Sequence, residues 1–249
     1  MNGYYEKDLA FIHDVGFGEW ARKSAPGILE ILKQNGIRQG LIIDLGCGSG
    51  LWAQALTKAR YQVLGIDISE AMIAIARRRV PSAEFRVASL FAAELPACHA
   101  VTSISECLNY LVGSNKHELT GLFRRVFKAL IPGGVFVFDL AGPGQIKPGT
   151  TTRGFTEGED WIVLVEKRED AERALLTRRI TTFRKVGDRY RRADEVHGQR
   201  LFKFADIAKE LRRAGFRVRT MREYGQYRLP PAHAVFIARK PARGNPSED

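Results

Sequence analysis

The chain has little cysteine, methionine or tryptophan, with three of each in 249 residues. Three cysteines are too few for a disulfide framework, and Cys47, Cys98 and Cys107 show no zinc-ligand spacing, so no metal site is expected. No run approaches the roughly 18 apolar residues of a membrane span. The first residues lack the basic-then-apolar order of a signal peptide. These absences exclude disulfide scaffolds and membrane-spanning helices, and a reducing, cytoplasmic setting is the expectation.

Acidic residues are also in deficit, with 28 against 39 basic residues and a net charge of +11. The excess is concentrated in residues 166–228, which hold 19 basic and 10 acidic side chains, whereas residues 1–165 hold 17 and 16. Such a field attracts anions: a small acidic substrate, nucleic acid or a membrane surface. A solvated, arginine-rich sheet face kept soluble by its charge is the other interpretation.

The first two thirds of the chain alternate strand-like and helix-like segments. Five short apolar runs precede or separate the helices, which predicts a parallel, doubly wound α/β sheet. A helix is predicted to begin at Ser24-Ala25-Pro26, and Ser69 is predicted to cap another that runs to about Arg79. The residues Asn115-Lys116-His117-Glu118 resemble a capping box at the start of a later helix.

The pattern changes after Gly142. The segment 142–158 contains little that can pack, and three strand-like segments follow without helices between them: 160–166, 176–185 and 189–196. Gly187-Asp188 predicts a hairpin between the last two. One helix and two strands then close the sheet. The chain therefore reads as one α/β domain with an antiparallel insert.

The strongest motif is Asp44-Leu45-Gly46-Cys47-Gly48-Ser49-Gly50, where a glycine-rich turn follows the first strand. Such a turn lets a ligand lie against bare backbone at a helix N-terminus. Asp67 ends the next strand, 21 positions after Gly46, where a carboxylate can accept both hydroxyls of a ribose. A nicotinamide site requires G-x-G-x-x-G, which this turn lacks. Asp44 suits the ammonium of a sulfonium-bearing methionine, so a dehydrogenase is the weaker interpretation.

The chain resembles the class I S-adenosylmethionine-dependent methyltransferases at three motifs in the correct order. These are Asp44–Gly50, the segment Gly65-Ile66-Asp67-Ile68-Ser69-Glu70-Ala71-Met72, and the turn Leu130-Ile131-Pro132-Gly133-Gly134 before the fifth strand. The resemblance implies a seven-stranded Rossmann-like sheet with a late antiparallel strand, and S-adenosylmethionine as the cofactor. An antiparallel insert after the fifth strand is expected to roof the acceptor pocket, as in the small-molecule subgroup.

The resemblance also implies which residues hold the cofactor. Asp44 and the turn Gly46, Cys47, Gly48 and Gly50 are expected at the methionine moiety, and Asp67 at the ribose. Ile68 and Met72 are expected to sandwich the adenine. Ser89 and Leu90 stand where the family often has an acidic residue, so the Ser89 hydroxyl and backbone amides are expected to serve there. Ser105, after the fourth strand, is expected to border the cofactor.

The catalytic candidates lie outside these motifs. Glu106 and Tyr110 follow the fourth strand, where an acceptor is expected; Glu106 is a candidate base and Tyr110 a candidate orienting group. Glu106 as a mere cap is the alternative. His197 is either a base or acceptor contact, or a solvent-facing histidine at a strand end. The N/D-P-P-Y/F motif of many nucleic-acid methyltransferases is absent.

The N-terminal aromatic residues resemble the lead-in helices that close over the cofactor in small-molecule methyltransferases. The lid candidates are Tyr4, Tyr5, Phe11, His13, Phe17 and Trp20. The predicted organisation is a lead-in over 1–36, a cofactor-binding domain over 37–141 and 203–240, a cap over 142–202 and a disordered tail over 241–249.

The predicted function is methyl transfer from S-adenosylmethionine to a small, acidic or neutral acceptor by in-line displacement. Three alternatives stay open at this point. They are an RNA or protein methyltransferase that uses the basic 166–228 segment, a non-catalytic S-adenosylmethionine-binding protein, and a nicotinamide oxidoreductase. The alternation along Leu176–Arg184 predicts a cap strand with one buried and one polar face, although Arg178-Arg179 breaks strict period 2. One arginine turned inward would suit an acidic substrate.

Overall fold

The computed structural model describes residues 4–110 and 116–242, with only the backbone for Lys116 and His117. Its larger sheet has seven strands in the order β3-β2-β1-β4-β5-β13-β10. These strands are β1 (Leu41–Leu45), β2 (Gln62–Asp67), β3 (Glu84–Val87), β4 (Cys98–Ser103), β5 (Leu130–Ala141), β10 (Arg217–Met221) and β13 (His233–Arg239). The first five are parallel, and β13 is antiparallel to both of its neighbours. The predicted doubly wound sheet with a late antiparallel strand is confirmed.

Six helices accompany the sheets in the described part of the chain. They are α1 (Lys7–Gly16), α2 (Glu19–Gln34), α3 (Leu51–Lys58), α4 (Glu70–Arg79), α5 (Lys116–Ala129) and α6 (Phe204–Arg213). Apolar side chains from both faces of the large sheet form two separate cores, one under α2, α3 and α4 and one under α5 and α6. None of the helices among residues 4–110 and 116–242 is both long and apolar enough to cross a bilayer.

The predicted start of α2 is wrong, because the helix begins at Glu19 and carries Pro26 in its interior. The Ser24 hydroxyl donates to the Trp20 carbonyl at 2.7 Å within the helix and does not cap a new one. Gly27 packs directly on the backbone of Tyr224, where any Cβ would overlap it. Tertiary packing thus holds a helix across a proline that local preference places at a helix start.

The predicted N-terminal caps of α4 and α5 have different outcomes. Ser69 does cap α4, since its Oγ accepts the Met72 N–H at 3.1 Å. The proposed capping box at the start of α5 begins at Asn115, which lies outside the described residues, as does most of the predicted disordered tail.

The predicted antiparallel insert is a four-stranded sheet, called the cap here. Its strands are β6 (Thr152–Gly158), β7 (Trp161–Asp170), β8 (Leu175–Val186) and β9 (Arg189–Arg200), in that order. Gly187 and Asp188 form the two-residue turn of the β8–β9 hairpin, as predicted. Strand β6 was not predicted, because all seven of its residues are exposed; backbone pairing to β7 and the Arg153–Glu166 ion pair hold it. A short hairpin, β11 (Glu223–Tyr224) with β12 (Tyr227–Arg228), was also missed.

The inner face of the cap packs on α1 and closes over the ends of the parallel strands. Leu9 and Ile12 of α1 form a small core with Trp161, Val163 and Ile180 of the cap. The buried Asp8 carboxylate receives hydrogen bonds from the cap residues Arg184 and Arg191. The N-terminal helix and the cap are therefore one unit at the end of the sheet where the glycine-rich turn lies.

Candidate active site

A pocket opens at the carboxyl ends of β1, β2 and β4. Its lining comes from the glycine-rich turn, the ends of β2 and β3, the loop after β4 and the N-terminal segment. The lining residues are Tyr4, Tyr5, Gly46, Asp67, Ile68, Ser89, Leu90, Phe91, Cys107 and Tyr110. In an open α/β sheet this edge, at the point between β1 and β4 where the strand order reverses, is where ligands bind.

The Asp67 carboxylate is fixed by two backbone amides. Gly48 N–H donates to one oxygen at 2.8 Å and Ser69 N–H donates to the other at 2.9 Å. Burial raises the pKa of Asp67, and the amide hydrogen bonds act in the opposite sense. The two amides hold the carboxylate at the pocket wall with its remaining lone pairs free for ribose hydroxyls.

The Asp44 carboxylate lies beneath the glycine-rich turn and is 1% exposed. Thr102 Oγ1 donates to one of its oxygens at 2.9 Å, and Trp52 Nε1 donates to Thr102 Oγ1 at 3.0 Å. The other Asp44 oxygen is buried without a partner. Burial raises the pKa of Asp44 to about 7, and the nearby Asp67 adds to the effect. A buried carboxylate oxygen without a hydrogen-bond partner favours binding of a cation, and the ammonium of a methionine moiety fits this position.

The glycines leave room for a ligand on the pocket side. A Cβ built on Gly46 would lie 1.8 Å from the Cys107 sulfur, so this position accepts no side chain. Gly48 has a φ of +51° and nothing within 4 Å of a built Cβ, so its backbone faces open space. With the unpartnered oxygen of Asp44, this bare backbone fits the cofactor that the motifs imply.

The predicted cofactor residues divide into two groups. Gly46, Asp67, Ile68, Ser89 and Leu90 line the pocket. The others lie behind the lining or bond to it: Asp44, Cys47, Gly48, Gly50, Met72 and Ser105. Met72, in the first turn of α4, is only 2% exposed and does not line the pocket, whereas Ile68 is 42% exposed and lines it.

The loop after β4 is held in an unusual backbone conformation. Ser105 and Glu106 both have positive φ, at 65° and 60°. Asp139, at the end of β5, accepts the N–H groups of both residues at 3.0 and 2.6 Å, and the Tyr224 hydroxyl at 3.0 Å. Consecutive left-handed residues other than glycine are strained, and a single carboxylate binding both amides compensates for the strain. Burial raises the pKa of Asp139 to about 6.

The Glu106 side chain lies in an ion-pair network, so its carboxylate is not free within the pocket. One oxygen contacts His233 Nε2 at 2.5 Å, and the other accepts from Arg178 at 2.7 Å and Gln199 at 3.0 Å. Burial alone would raise the pKa of Glu106, but the His233 hydrogen bond and the Arg178 charge hold it at about 2. A carboxylate so strongly stabilised is a weak base, which favours a structural link between the loop and the cap.

His197 is buried, at 1% exposure, so the solvent-facing interpretation of this histidine is wrong. Its Nε2 lies 2.8 Å from a Glu195 oxygen, and its Nδ1 is buried without a partner. The rings of Tyr4 and Tyr5 lie 4.9 and 5.0 Å from its imidazole. The cap turned this side chain inward because β9 continues to Arg200, beyond the predicted end at Val196.

Two of the predicted lid residues, Tyr4 and Tyr5, cover the pocket. Tyr5 and Tyr110 share a hydrogen bond of 2.8 Å between their hydroxyls. Glu195 accepts the backbone N–H groups of Tyr5 and Glu6, and Ser69 Oγ donates to the Tyr5 carbonyl. The N-terminal segment is thus tied both to the cap and to the second motif. Of the other lid candidates, His13 packs on the Tyr5 ring at 5.0 Å, and Phe11, Phe17 and Trp20 do not line the pocket.

Comparison with known proteins agrees with this geometry. A methyltransferase domain family matches residues 42–134. The "Putative methyltransferase" of Geobacillus sp. (strain WCH70) is 30% identical over 196 residues, which cover 75% of this chain and 78% of that protein. The chain belongs to the S-adenosylmethionine-dependent methyltransferases. An S-adenosylmethionine-dependent methyltransferase from Clostridium acetobutylicum shares the fold with a TM-score of 0.81 at 20% identity, over 94% of this chain and 98% of that one.

A further relative of this methyltransferase is named for its acceptor. It is the dTDP-3-amino-3,6-dideoxy-alpha-D-glucopyranose N,N-dimethyltransferase of Streptomyces fradiae. It is 26% identical over 169 residues, which cover 61% of this chain and 63% of that protein.

Several side chains of the site were not singled out from the sequence, among them Phe91, Thr102, Asp139, Glu195, Gln199, Tyr224 and His233. Asp139 had a visible signal, since it is a carboxylate at the end of the apolar run Val135–Phe138. The break of alternation at Arg178-Arg179 was a second signal, and Arg178 does turn inward. His233 had no local signal, because its partner Glu106 lies 127 positions away.

Proposed function

We propose that this methyltransferase transfers the methyl group of S-adenosylmethionine to a nitrogen, oxygen or carbon nucleophile of a small molecule. The acceptor would lie between the cofactor pocket and the inner face of the cap. The observation that carries the proposal is the closed roof: Tyr4, Tyr5 and Tyr110 cover the pocket and pack on His197 of the cap. A pocket covered by three tyrosines suits a small acceptor better than a folded RNA or protein surface. The named acceptor of the Streptomyces fradiae relative is also a small molecule.

The cofactor residues have separate tasks in this proposal. Asp44 would bind the ammonium of the methionine moiety, Asp67 the ribose hydroxyls, and Gly46 and Gly48 would present bare backbone to the methionine. When bound, S-adenosylmethionine supplies an activated sulfonium methyl group that a nucleophile attacks in line. The protein then contributes mainly alignment and the exclusion of water, and orientation alone is worth about 7–11 kcal/mol.

We assign proton removal to His197. Glu195 accepts a hydrogen bond from His197 Nε2–H, which leaves the lone pair on the unpartnered Nδ1. A carboxylate that orients an imidazole in this way is the arrangement of a general base. The Tyr4–Tyr5 segment covers Nδ1, so this segment must shift for an acceptor to reach it.

Tyr110 is better suited to orient the acceptor than to deprotonate it. Burial raises the pKa of Tyr110 well above its usual range, so the phenol keeps its proton near neutral pH. Its hydroxyl can donate to an acceptor oxygen or nitrogen in place of Tyr5. Glu106 stays a candidate only as a positioning residue and not as a base, because Arg178 and His233 already bind its carboxylate.

The test is transfer of isotopically labelled methyl from S-adenosylmethionine into a cell extract separated by size. We expect label in the low-mass fraction, and none when Asp67→Ala replaces the wild-type protein. Label that appears only in RNA or protein would contradict the small-molecule acceptor. Cofactor binding without label in any fraction would favour a non-catalytic binding protein.

A further inference from the structure

Lys167 lies on the inner face of the cap, in line with the site. In the β7–β8–β9 register, Lys167 is opposite Arg178, and Arg178 is opposite His197. Side chains at directly opposed positions of an antiparallel sheet project from the same face. Since Arg178 reaches Glu106 and His197 is buried against Tyr4 and Tyr5, this face is the one that covers the pocket.

Lys167 has no counter-ion among the residues that the structure describes, in contrast to its neighbours. Glu166 projects from the other face of β7 and pairs with Arg153 at 2.8 Å. Glu169 shares the face of Lys167, but it accepts the backbone N–H groups of Gly144, Gln145 and Ile146 at 2.7–2.9 Å. Asp170 pairs with Arg173 at 3.8 Å, so all three acidic side chains nearby in sequence are occupied.

The electrostatic surroundings of Lys167 are cationic. Burial lowers the pKa of Lys167, and the charge of Arg178 lowers it further, more than Glu106 raises it. A half-buried ammonium beside a guanidinium carries an unfavourable charge balance that a bound anion would relieve.

Two unpartnered buried atoms lie on the same face of the cap, on strands β8 and β9. Arg178 Nε and Gln199 Oε1 are both buried without a hydrogen-bond partner. Buried polar atoms in folded proteins nearly always have partners, so such orphans mark a place where a ligand completes the bonding. Lys167 also lines a groove together with Thr152, Val163 and Phe17, among others. The groove gives a ligand room to reach Lys167.

We propose that Lys167 and Arg178 form an anion subsite, so that the acceptor carries a phosphate or carboxylate group. This inference rests on the proposed function, because it assigns the subsite to the same acceptor pocket. An arginine fork and a lysine point charge together match the oxygens of either group. The side-chain carbonyl of Gln199, on β9 next to the strand of Arg178, would accept a hydroxyl or amine proton from the same molecule.

An arrangement in which Lys167 binds no ligand gives the competing explanation. Lys167 can lay its alkyl stem over Val165 and keep its ammonium in water, as long cationic side chains do at the edge of an apolar surface. In that case no anion binds at this position, and the two explanations predict different titrations.

The experiment titrates two anionic probes, inorganic pyrophosphate and citrate, into the protein saturated with S-adenosylhomocysteine. Calorimetry compares the wild type with Lys167→Met, Lys167→Arg and, as a matched control, Lys209→Met on the exposed face of α6. We expect Lys167→Met to weaken the tighter probe at least tenfold, while Lys167→Arg and Lys209→Met stay within about threefold of the wild type. A preference for pyrophosphate indicates a phosphate-bearing acceptor, and a preference for citrate a carboxylate.

A second readout places the anion at the residue. Brief acetylation followed by peptide mass spectrometry should label Lys167, and the tighter probe should slow that labelling but not the labelling of Lys209. Unchanged affinity in Lys167→Met, or no binding of either probe to the wild type, overturns the subsite. Those results leave the proposed function intact if label still enters a small molecule. Failure to bind S-adenosylhomocysteine would count against the proposed function instead.

Discussion

His233 Nε2 and Glu106 Oε1 lie 2.5 Å apart, although 127 residues separate them in the chain. Both side chains are buried, and the other His233 nitrogen lies 2.8 Å from the Pro231 carbonyl. Two acceptors around one imidazole favour its doubly protonated, charged form. The pair joins the loop after β4 to the antiparallel strand β13, and Arg178 joins the same carboxylate to the cap.

The first prediction concerns the pH dependence of stability. Folding lowers the pKa of Glu106 from 4.5 to about 2, so its contribution is complete above pH 4.5 and is lost as the pH falls towards 2. Burial opposes the charged form of His233, but the Glu106 contact raises its pKa above 6.5. Its contribution is therefore complete below pH 6.5 and is lost as the pH rises through the raised value. The pair should stabilise the fold most between pH 4.5 and 6.5.

Urea unfolding of His233→Gln checks this prediction. At pH 5.5 the free energy of unfolding should fall by about 1.5–3 kcal/mol, the worth of a hydrogen bond to a charged group. The difference from the wild type should shrink as the pH rises. Glu84→Gln, which removes an exposed ion pair with Arg86, should change the free energy of unfolding by less than about 1 kcal/mol. A difference that does not vary with pH would show that His233 is not charged in the folded protein.

Asp67→Ala should weaken binding of S-adenosylhomocysteine by about 2–4 kcal/mol, or roughly 30- to 1,000-fold. The reason is that charge-assisted hydrogen bonds from both ribose hydroxyls would be lost. Calorimetry measures the change, and circular dichroism checks that the fold survives. Glu70→Gln is the control, since Glu70 is exposed at the start of α4, just after Asp67. Equal affinities for the wild type and Asp67→Ala would remove Asp67 from the cofactor site.

Gly48→Val should abolish cofactor binding while the protein stays folded. The new side chain meets no atom of the protein within 4 Å, so it would project into the space assigned to the methionine moiety. The positive φ adds a strain of about 1–2 kcal/mol. Gly36→Ala has a similar φ of +80° and equally open space, but lies after α2, so it should keep the wild-type affinity. If both variants bind alike, the backbone at Gly48 does not contact the ligand.

His197→Ala should lower methyl transfer by about 10²–10⁴-fold and leave the affinity for S-adenosylhomocysteine unchanged. The pH–rate profile should also lose one ionisation, which a purely structural role would not remove. Tyr110→Phe should keep that ionisation and lose less activity, since only an orienting hydroxyl is removed. The measurement uses the acceptor found in the extract experiment. A wild-type profile in His197→Ala would transfer the role of base to another group.

Much of the cofactor half was predictable because its signals are local. The Asp44–Gly50 turn and Asp67 each follow a short apolar strand, and parallel strand ends meet at one edge. The cap half was less predictable. Strand β6 has no buried side chain to produce a pattern, and the role of Glu106 depends on residues 72, 93 and 127 positions away. Periodicity detects neighbours along one element, whereas an ion-pair network across four elements leaves no such trace.

The last prediction separates small from macromolecular acceptors. Arg179 and Arg192 are exposed on the cap, and Arg192 already pairs with Asp194 at 3.0 Å. The double variant Arg179→Gln/Arg192→Gln should therefore leave labelled methyl transfer within about twofold of the wild type, because neither side chain faces the roofed pocket. Several arginines of the basic 166–228 segment are already paired with carboxylates: Arg191 with Asp8, Arg178 with Glu106 and Arg213 with Glu210. If this double variant loses methyl transfer together with a salt-sensitive affinity for RNA, the outer face of the cap binds the substrate and the small-molecule proposal is wrong.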